Sequence, residues 1–395
     1  MAATIALPAV VTGDGYRWVV LAAGTLAQAS YSAIALGLSV MLPELRRRYG
    51  LTLGEAGIVL AAPNMGSMLS LLPWGLAADR IGERAVVATG LAAAAASLYA
   101  AGRTASFVPL AALLAAAGLV GASVNAASGR AVMHWFGARQ RGLALGIRQT
   151  AIPIGGATVA LGLPHVLDAG GTRLGLTVVA IGCLGGAVLA AALLRERPAV
   201  ARDEPTVDAR PLRDRRIWKL LGGSALLLFP QTAVFGYTVL FLHERRGLSP
   251  AAAAGVLAAI QVLGIGARIG GGRWSDVVES RIAPLRWIAA ASATLAAATG
   301  ACVGAPLVLL VPVLIAGGVL AMSWNGLSFA AAAELAGRAR AGASLGLQQT
   351  VLAIGGAGLP PAFAALVGAL GWGWAWGLAA VGPAAGLVVL RGLRA

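Results

Sequence analysis

Only 11% of the 395 residues carry a charge, less than half the roughly 25% of a soluble domain. A water-facing globular surface is therefore excluded for most of the chain. Cysteine and histidine are scarcer still, with two and three residues. Cys183 and Cys302 are too far apart for a disulfide framework or a zinc spacing. His134, His165 and His243 fall at loops, so a metal cluster or a His-based nucleophilic triad has no evident place. No metal, no cofactor and no enzymatic activity are expected. The fifteen acidic residues stay at loops or helix ends, Glu55 and Glu334 coming nearest to the apolar runs. No ten-residue alternation suggests a β-barrel. The first fifteen residues hold neither Lys nor Arg and no separate apolar core, which argues against a cleaved signal peptide.

What the chain has in abundance is apolar length. Hydrophobic residues make up 58% and the mean hydropathy is +0.82. A bilayer crossing needs about 20 mostly apolar residues, and twelve such runs can be marked between positions 18 and 390. In lipid each backbone must satisfy its own hydrogen bonds, so these runs become helices. The expected fold is an all-α membrane protein with twelve transmembrane helices, the lipid bilayer being its surroundings.

The formal net charge of +15 would point to nucleic acid in a soluble protein. Here the placement of the cations points to topology instead, and no nucleic-acid partner is expected. With both termini cytoplasmic, 21 Lys and Arg fall on inner segments, 7 on outer loops, and two, Arg148 and Arg268, inside spans. Trp18, Trp218 and Trp287 adjoin cations at inner helix starts, while Trp372, Trp374 and Trp376 open the last span outside, as an aromatic belt would. A plasma or inner cell membrane suits this pattern. The segment RERPAVARDEPTVDARPLRDRRIWK carries eight of the inner cations. It divides the chain into an N-terminal six-helix bundle (1–194), a cytoplasmic linker (195–216) and a C-terminal six-helix bundle (217–395).

The two halves are copies of one another. Segments 123–157 and 323–357 align without a gap at an offset of 200, with 14 of 35 positions identical, among them Asn125 with Asn325, Gln149 with Gln349 and Gly155 with Gly355. GLAADRIGER (75–84) pairs with GRWSDVVESR (272–281), and RRYGLT (47–52) with RRGLSP (245–250). Matched segments six spans apart share an orientation, which gives two pseudo-symmetric bundles about an axis along the membrane normal.

Twelve spans, a central loop and the cytoplasmic pattern G-x-x-x-D-R-x-G-x-R, present as Gly75, Asp79, Arg80, Gly82 and Arg84, resemble the major facilitator superfamily over essentially the whole chain. The second copy keeps Gly272, Asp276 and Arg281 but has Val277 and Glu279 where the first has Arg80 and Gly82. The resemblance implies alternating access by a secondary transporter working as a monomer on a small-molecule substrate. It also implies a gating role for Gly75, Asp79, Arg80, Arg84 and Asp276. Asp79 would meet the helix start near Gly342, and Asp276 the start near Gly142, a charge–dipole contact worth up to roughly 2 kcal/mol.

Arg268 lies eight residues before Asp276, about 12 Å deeper at 1.5 Å per residue, in a slab about 30 Å thick. Arg148 is about 10 Å inside the Arg139–Arg141 loop by the same measure. An arginine so placed demands water or a partner, and its planar fork suits a carboxylate. The spacing from Arg268 to Asp276 is similar to that of the eighth-span arginine in monocarboxylate, oxalate and nitrate carriers of the superfamily. Leu71 stands where the nitrate branch has its second arginine. Spans five and eight face each other in that fold, so Arg148 and Arg268 are expected to converge on one anion. The family's central path runs along spans one, four, seven and ten, which adds Gln28, Tyr31, Asn125, Gln231, Tyr237 and Asn325 as substrate-binding candidates. Asn64, Gln261, Gln348 and Gln349 are further polar residues within spans. A co-transported proton or an exchanged anion is open, since no carboxylate sits at a bundle centre to relay protons. Export of drugs or metabolites is the alternative function, weakened by Val159 and Ala160 where the drug-antiporter motif has Gly-Pro. A non-transporting sensor or scaffold is the third.

Overall fold

The computed structural model describes residues 15–136, 141–196, 214–336 and 341–393, with the backbone alone at 72, 79, 130–134, 141–143, 145 and 341–343. Most of the expected 195–216 linker lies outside these residues. Among the described residues there is no strand. Thirteen α-helices run in chain order: α1 Tyr16–Tyr49, α2 Leu53–Ile81, α3 Glu83–Ala101, α4 Phe107–Gly121, α5 Ser123–Trp135, α6 Arg141–Gln149, α7 Ala151–Leu193, α8 Arg215–Leu240, α9 Pro250–Val277, α10 Ile282–Ala301, α11 Leu307–Ala336, α12 Ala341–Leu378 and α13 Val381–Arg391. A π-helical turn, Phe241–Arg245, extends α8.

Among the described residues nine helical runs are long and apolar enough to cross a membrane. Two of them, Gly146–Leu193 and Ser344–Arg391, have 48 residues each, about 72 Å if straight and more than twice the hydrocarbon thickness. Each folds back instead. In α7 the break is at Gly170 and Gly171, the latter at φ 61°; in α12 it is at Gly371, φ 80°. Only glycine enters that left-handed region without strain. Each long run therefore crosses twice. With α2, a 29-residue helix interrupted by Pro63 and Pro73, the twelve expected crossings are present.

Contacts confirm the hairpins. The first limb of α7 follows α1 in parallel, Gly155 lying against Ala29 and Leu163 against Gly37. The second limb returns along it, with Val179 beside Gly37, Gly186 beside Ser30, and the Tyr16 hydroxyl donating to Leu193 O at 2.9 Å. In the C-terminal half, α8 is served alike. Gly355 meets Leu228 and Tyr237 donates to Pro360 O, after which the returning limb sets Gly382 on Leu226 and Gly386 on Gly223. The same path in both halves is the duplication realised in space, and it places α1 and α8 at the centre of their bundles.

Between lipid-embedded helices apolar burial supplies little drive, so small residues and close packing do. A Cβ on Gly66 would stand 1.8 Å from Ala115 O, and one on Gly118 1.9 Å from Pro63 O. Helices α2 and α4 thus touch backbone to backbone.

Twelve crossings put both ends of the chain on one side, here the terminal side; the other is the distal side. The seam between halves closes distally. Gly57 faces Pro361, its Cβ position 2.8 Å from Pro361 Cα; Leu60 packs on Gly236; Asn64 packs on Gly356. Outermost, Arg46 is ion-paired with Glu244. Toward the terminal side, a Cβ at Gly75, Gly146, Gly266, Gly270 or Gly346 would meet none of the described residues within 4 Å.

Candidate functional site

The seam holds the two intramembrane arginines. Arg148 lies in the last turn of α6 and is 6% exposed. Its Nε donates to Ser128 Oγ at 3.0 Å and its Nη2 to Gln28 Oε1 at 3.0 Å, while Gln28 Nε2 donates to Asn125 Oδ1 at 2.9 Å. Helices α1, α5 and α6 are tied by this one network. Arg268, in α9, is half-buried. Its Nε donates to Met322 O at 2.9 Å, its Nη1 to Gln149 O at 2.8 Å, and its Nη2 to Asn325 Oδ1 at 3.3 Å. Met322 and Asn325 belong to its own half. Gln149 belongs to the other and directly follows Arg148.

All of these acceptors are neutral. Among the described residues no carboxylate pairs with either arginine. A guanidinium carries five N–H groups, so Arg268, with three bonds, keeps two for another acceptor. Among the described residues Arg148 and Arg268 share no side-chain partner; they meet through the backbone at 148–149.

The repeat explains the asymmetry. The position matching Arg148 is Gln348, and its Nε2 donates to Ser328 Oγ at 2.5 Å, Ser328 in turn bonding Ser224. Ser328 matches Ser128. The scaffold is thus kept in both halves while the charge is in one. These serines were not singled out from the sequence, although their identity at the 200-residue offset was the signal available.

Other expected residues are scattered. Asn125 and Asn325 hold the two networks just described. Tyr31 is half-buried and bonds Ser67 at 2.5 Å. Gln231 is 6% exposed and its Oε1 has no hydrogen-bond partner. Tyr237 does not line a path: it is fully buried, its ring 4.9 Å from that of Phe363, and its hydroxyl is taken by Pro360 O at 2.6 Å. Gln261 is fully buried at the seam, beside Gly156 and Leu36, with neither amide atom partnered among the described residues.

At the gating motif, Gly82 takes φ 86° between α2 and α3, a geometric reason for glycine there. Gly75 has open space around it. Arg80 and Arg84 are exposed, and the Asp79 side chain lies outside the described residues. Asp276 accepts from Arg281, five residues along its own chain, and Arg281 also donates to Glu334 at 3.0 Å. Burial draws the Arg281 proton affinity down, but the hydrogen bonds it donates to Asp276 and Glu334 outweigh this and leave the pKa raised. On the distal side Arg46 is the cross-seam partner of Glu244.

A duplicated set of crossings, closed on one side around uncompensated positive charge, is the anatomy of an alternating-access carrier. Residues 19–360 match the sequence model described as Major Facilitator Superfamily. The chain belongs to the Major Facilitator Superfamily. It is 36% identical over 378 residues to uncharacterized MFS-type transporters from two strains of Mycobacterium tuberculosis, covering 95% of this chain and 84% of theirs. Its fold is similar to the crystal structures of a bacterial homolog to the human lysosomal transporter Spinster. The inward-facing, unoccupied form gives a TM-score of 0.75 and the inward-facing, occupied form 0.73, each at 16% identity over 95% of both chains. As a superfamily member the protein is a multi-pass membrane transporter of small molecules and not an enzyme.

Proposed function

We propose that this transporter carries a small organic anion, a monocarboxylate being the first choice, with Arg268 as its principal anchor and Arg148 as a second source of positive field. One observation carries the reading: two guanidiniums inside the bundle are held only by neutral oxygens among the described residues. Burying a charge without a counter-charge is costly. A negative solute supplies what the protein omits. Gln28, Asn125, Gln231 and Asn325 add neutral hydrogen-bonding groups around it.

In this reading the halves 1–194 and 217–395 rock about the seam. The terminal side is cytoplasmic, with both chain ends there, in a plasma or inner membrane. The distal closure then corresponds to the inward-facing state named for the Spinster homologs. The protein works as a monomer, and its driving ion is a co-transported proton or an exchanged anion.

The test is uptake of radiolabelled pyruvate and lactate into liposomes holding the purified protein. Saturable uptake that Arg268→Ala abolishes supports the proposal. Uptake that survives Arg268→Ala rejects the site. Export of cationic dyes without carboxylate uptake establishes the drug-exporter alternative.

A further inference from the structure

Thr150 alone separates α6 from α7; its backbone stays in the helical region (φ −72°, ψ −12°), and its N–H reaches only three residues back, to Ile147 O at 3.0 Å. In an unbroken helix the Gln149 carbonyl would accept from the N–H four residues on. That residue is Pro153, which has no N–H. An orphaned backbone carbonyl inside a lipid-embedded bundle must find another donor. Arg268 supplies it from the opposite half, Nη1 to O at 2.8 Å.

The second half is the internal control. Ala353 stands in the place of Pro153, α12 runs unbroken through Gln349, and among the described residues no arginine reaches the Gln349 carbonyl. The proline and the cross-seam bond occur together once; the matching place in the repeat has neither, with Ala353 for Pro153 and Leu71 for Arg268.

We propose that the Gln149 carbonyl, freed by Pro153, is a built-in competitor for the anion site. It holds Arg268 across the seam while the site is empty, and an arriving carboxylate displaces it and so unties α6 from α9. A carboxylate takes a parallel pair of N–H groups. Nη1 and Nη2 offer that pair once Gln149 and the more distant Asn325 contact give way, while Nε stays on Met322 O and keeps the side chain aimed. Pro153 and Gln149 are positioning residues. The tie itself stands without any ligand; the displacement step rests on the anion reading above.

The two parts are separated by one reporter. Ala364 is 1% exposed and packs on Gly57 in the distal seam, so Ala364→Cys, with Cys183→Ala and Cys302→Ala, reacts with maleimide only when that seam opens. Pro153→Ala and Pro153→Gly each restore the missing N–H, the second serving should the first fold poorly. With no anion present, both variants and Arg268→Ala should label at least about tenfold faster, the size of one hydrogen bond to a charged group. Pyruvate, as the probe, should bind both proline variants about tenfold more tightly than the unsubstituted protein by the same measure, and Arg268→Ala not at all. Unchanged labelling in both proline variants overturns the proposal even where pyruvate binding needs Arg268. Faster labelling in all three without pyruvate binding upholds the tie and removes the anion reading instead. A proline that merely bends the helix predicts no gain in affinity.

Discussion

Arg46, near the end of α1, is ion-paired with Glu244, in the π-helical turn after α8. It is the outermost described bond across the seam. The two side chains are 21% and 35% exposed, so the pair contributes at most about 1 kcal/mol, or roughly fivefold in a two-state equilibrium. Arg46→Glu and Glu244→Arg should each open the distal side by up to about that factor, read as faster maleimide labelling at position 364. The double swap should bring the rate back. Rates that stay high in the swap would show that position, and not charge, makes the latch.

The repeat predicts which replacement Arg148 tolerates. Arg148→Ala leaves Ser128 and Gln28 without their donor, a loss of about 1–3 kcal/mol for each buried group left unpaired. Arg148→Gln copies the arrangement that Gln348 makes with Ser328, so it should retain most of the thermal stability that the alanine variant loses. Its pyruvate affinity should nonetheless fall, because half of the buried positive charge is gone. Equal melting temperatures for the two variants would show that the Ser128 and Gln28 bonds do not matter to folding.

The crossings and the duplication were legible in the sequence because each leaves a periodic or positional trace. Hydrophobic length marks a span, and a 200-residue offset marks a copy. What Arg268 touches left no such trace. One acceptor is a backbone carbonyl 119 positions away, released by the absence of a hydrogen at Pro153. Tyr237 was misjudged because a phenol in the seventh span looks like cavity lining until its hydroxyl is found closed off by Pro360 O.

Glycines offer a paired control on close packing. A Cβ at Gly155 would lie 2.3 Å from Ala29 O, whereas one at Gly146 meets nothing within 4 Å. Gly155→Ala must push α7 away from α1 and should destabilise by about 1–3 kcal/mol. Gly146→Ala should be neutral or slightly stabilising, since alanine favours helix by up to about 1 kcal/mol over glycine. Melting in detergent distinguishes them. A large loss at position 146 would mean that the terminal side is packed, not open.

Gln261 tests whether the distal closure is strained on purpose. It is fully buried against Gly156 and Leu36, and among the described residues neither its amide nitrogen nor its oxygen has a hydrogen-bond partner. A buried amide left unpaired costs about 1–3 kcal/mol per group, so this side chain works against the closed form it sits in. Methionine has a similar unbranched shape and no such demand. Gln261→Met should therefore raise the melting temperature and slow net uptake, because the distal side closes more firmly and reopens less often. A lower melting temperature would show that the amide has a partner, such as trapped water, and that the closed seam is wet at this depth.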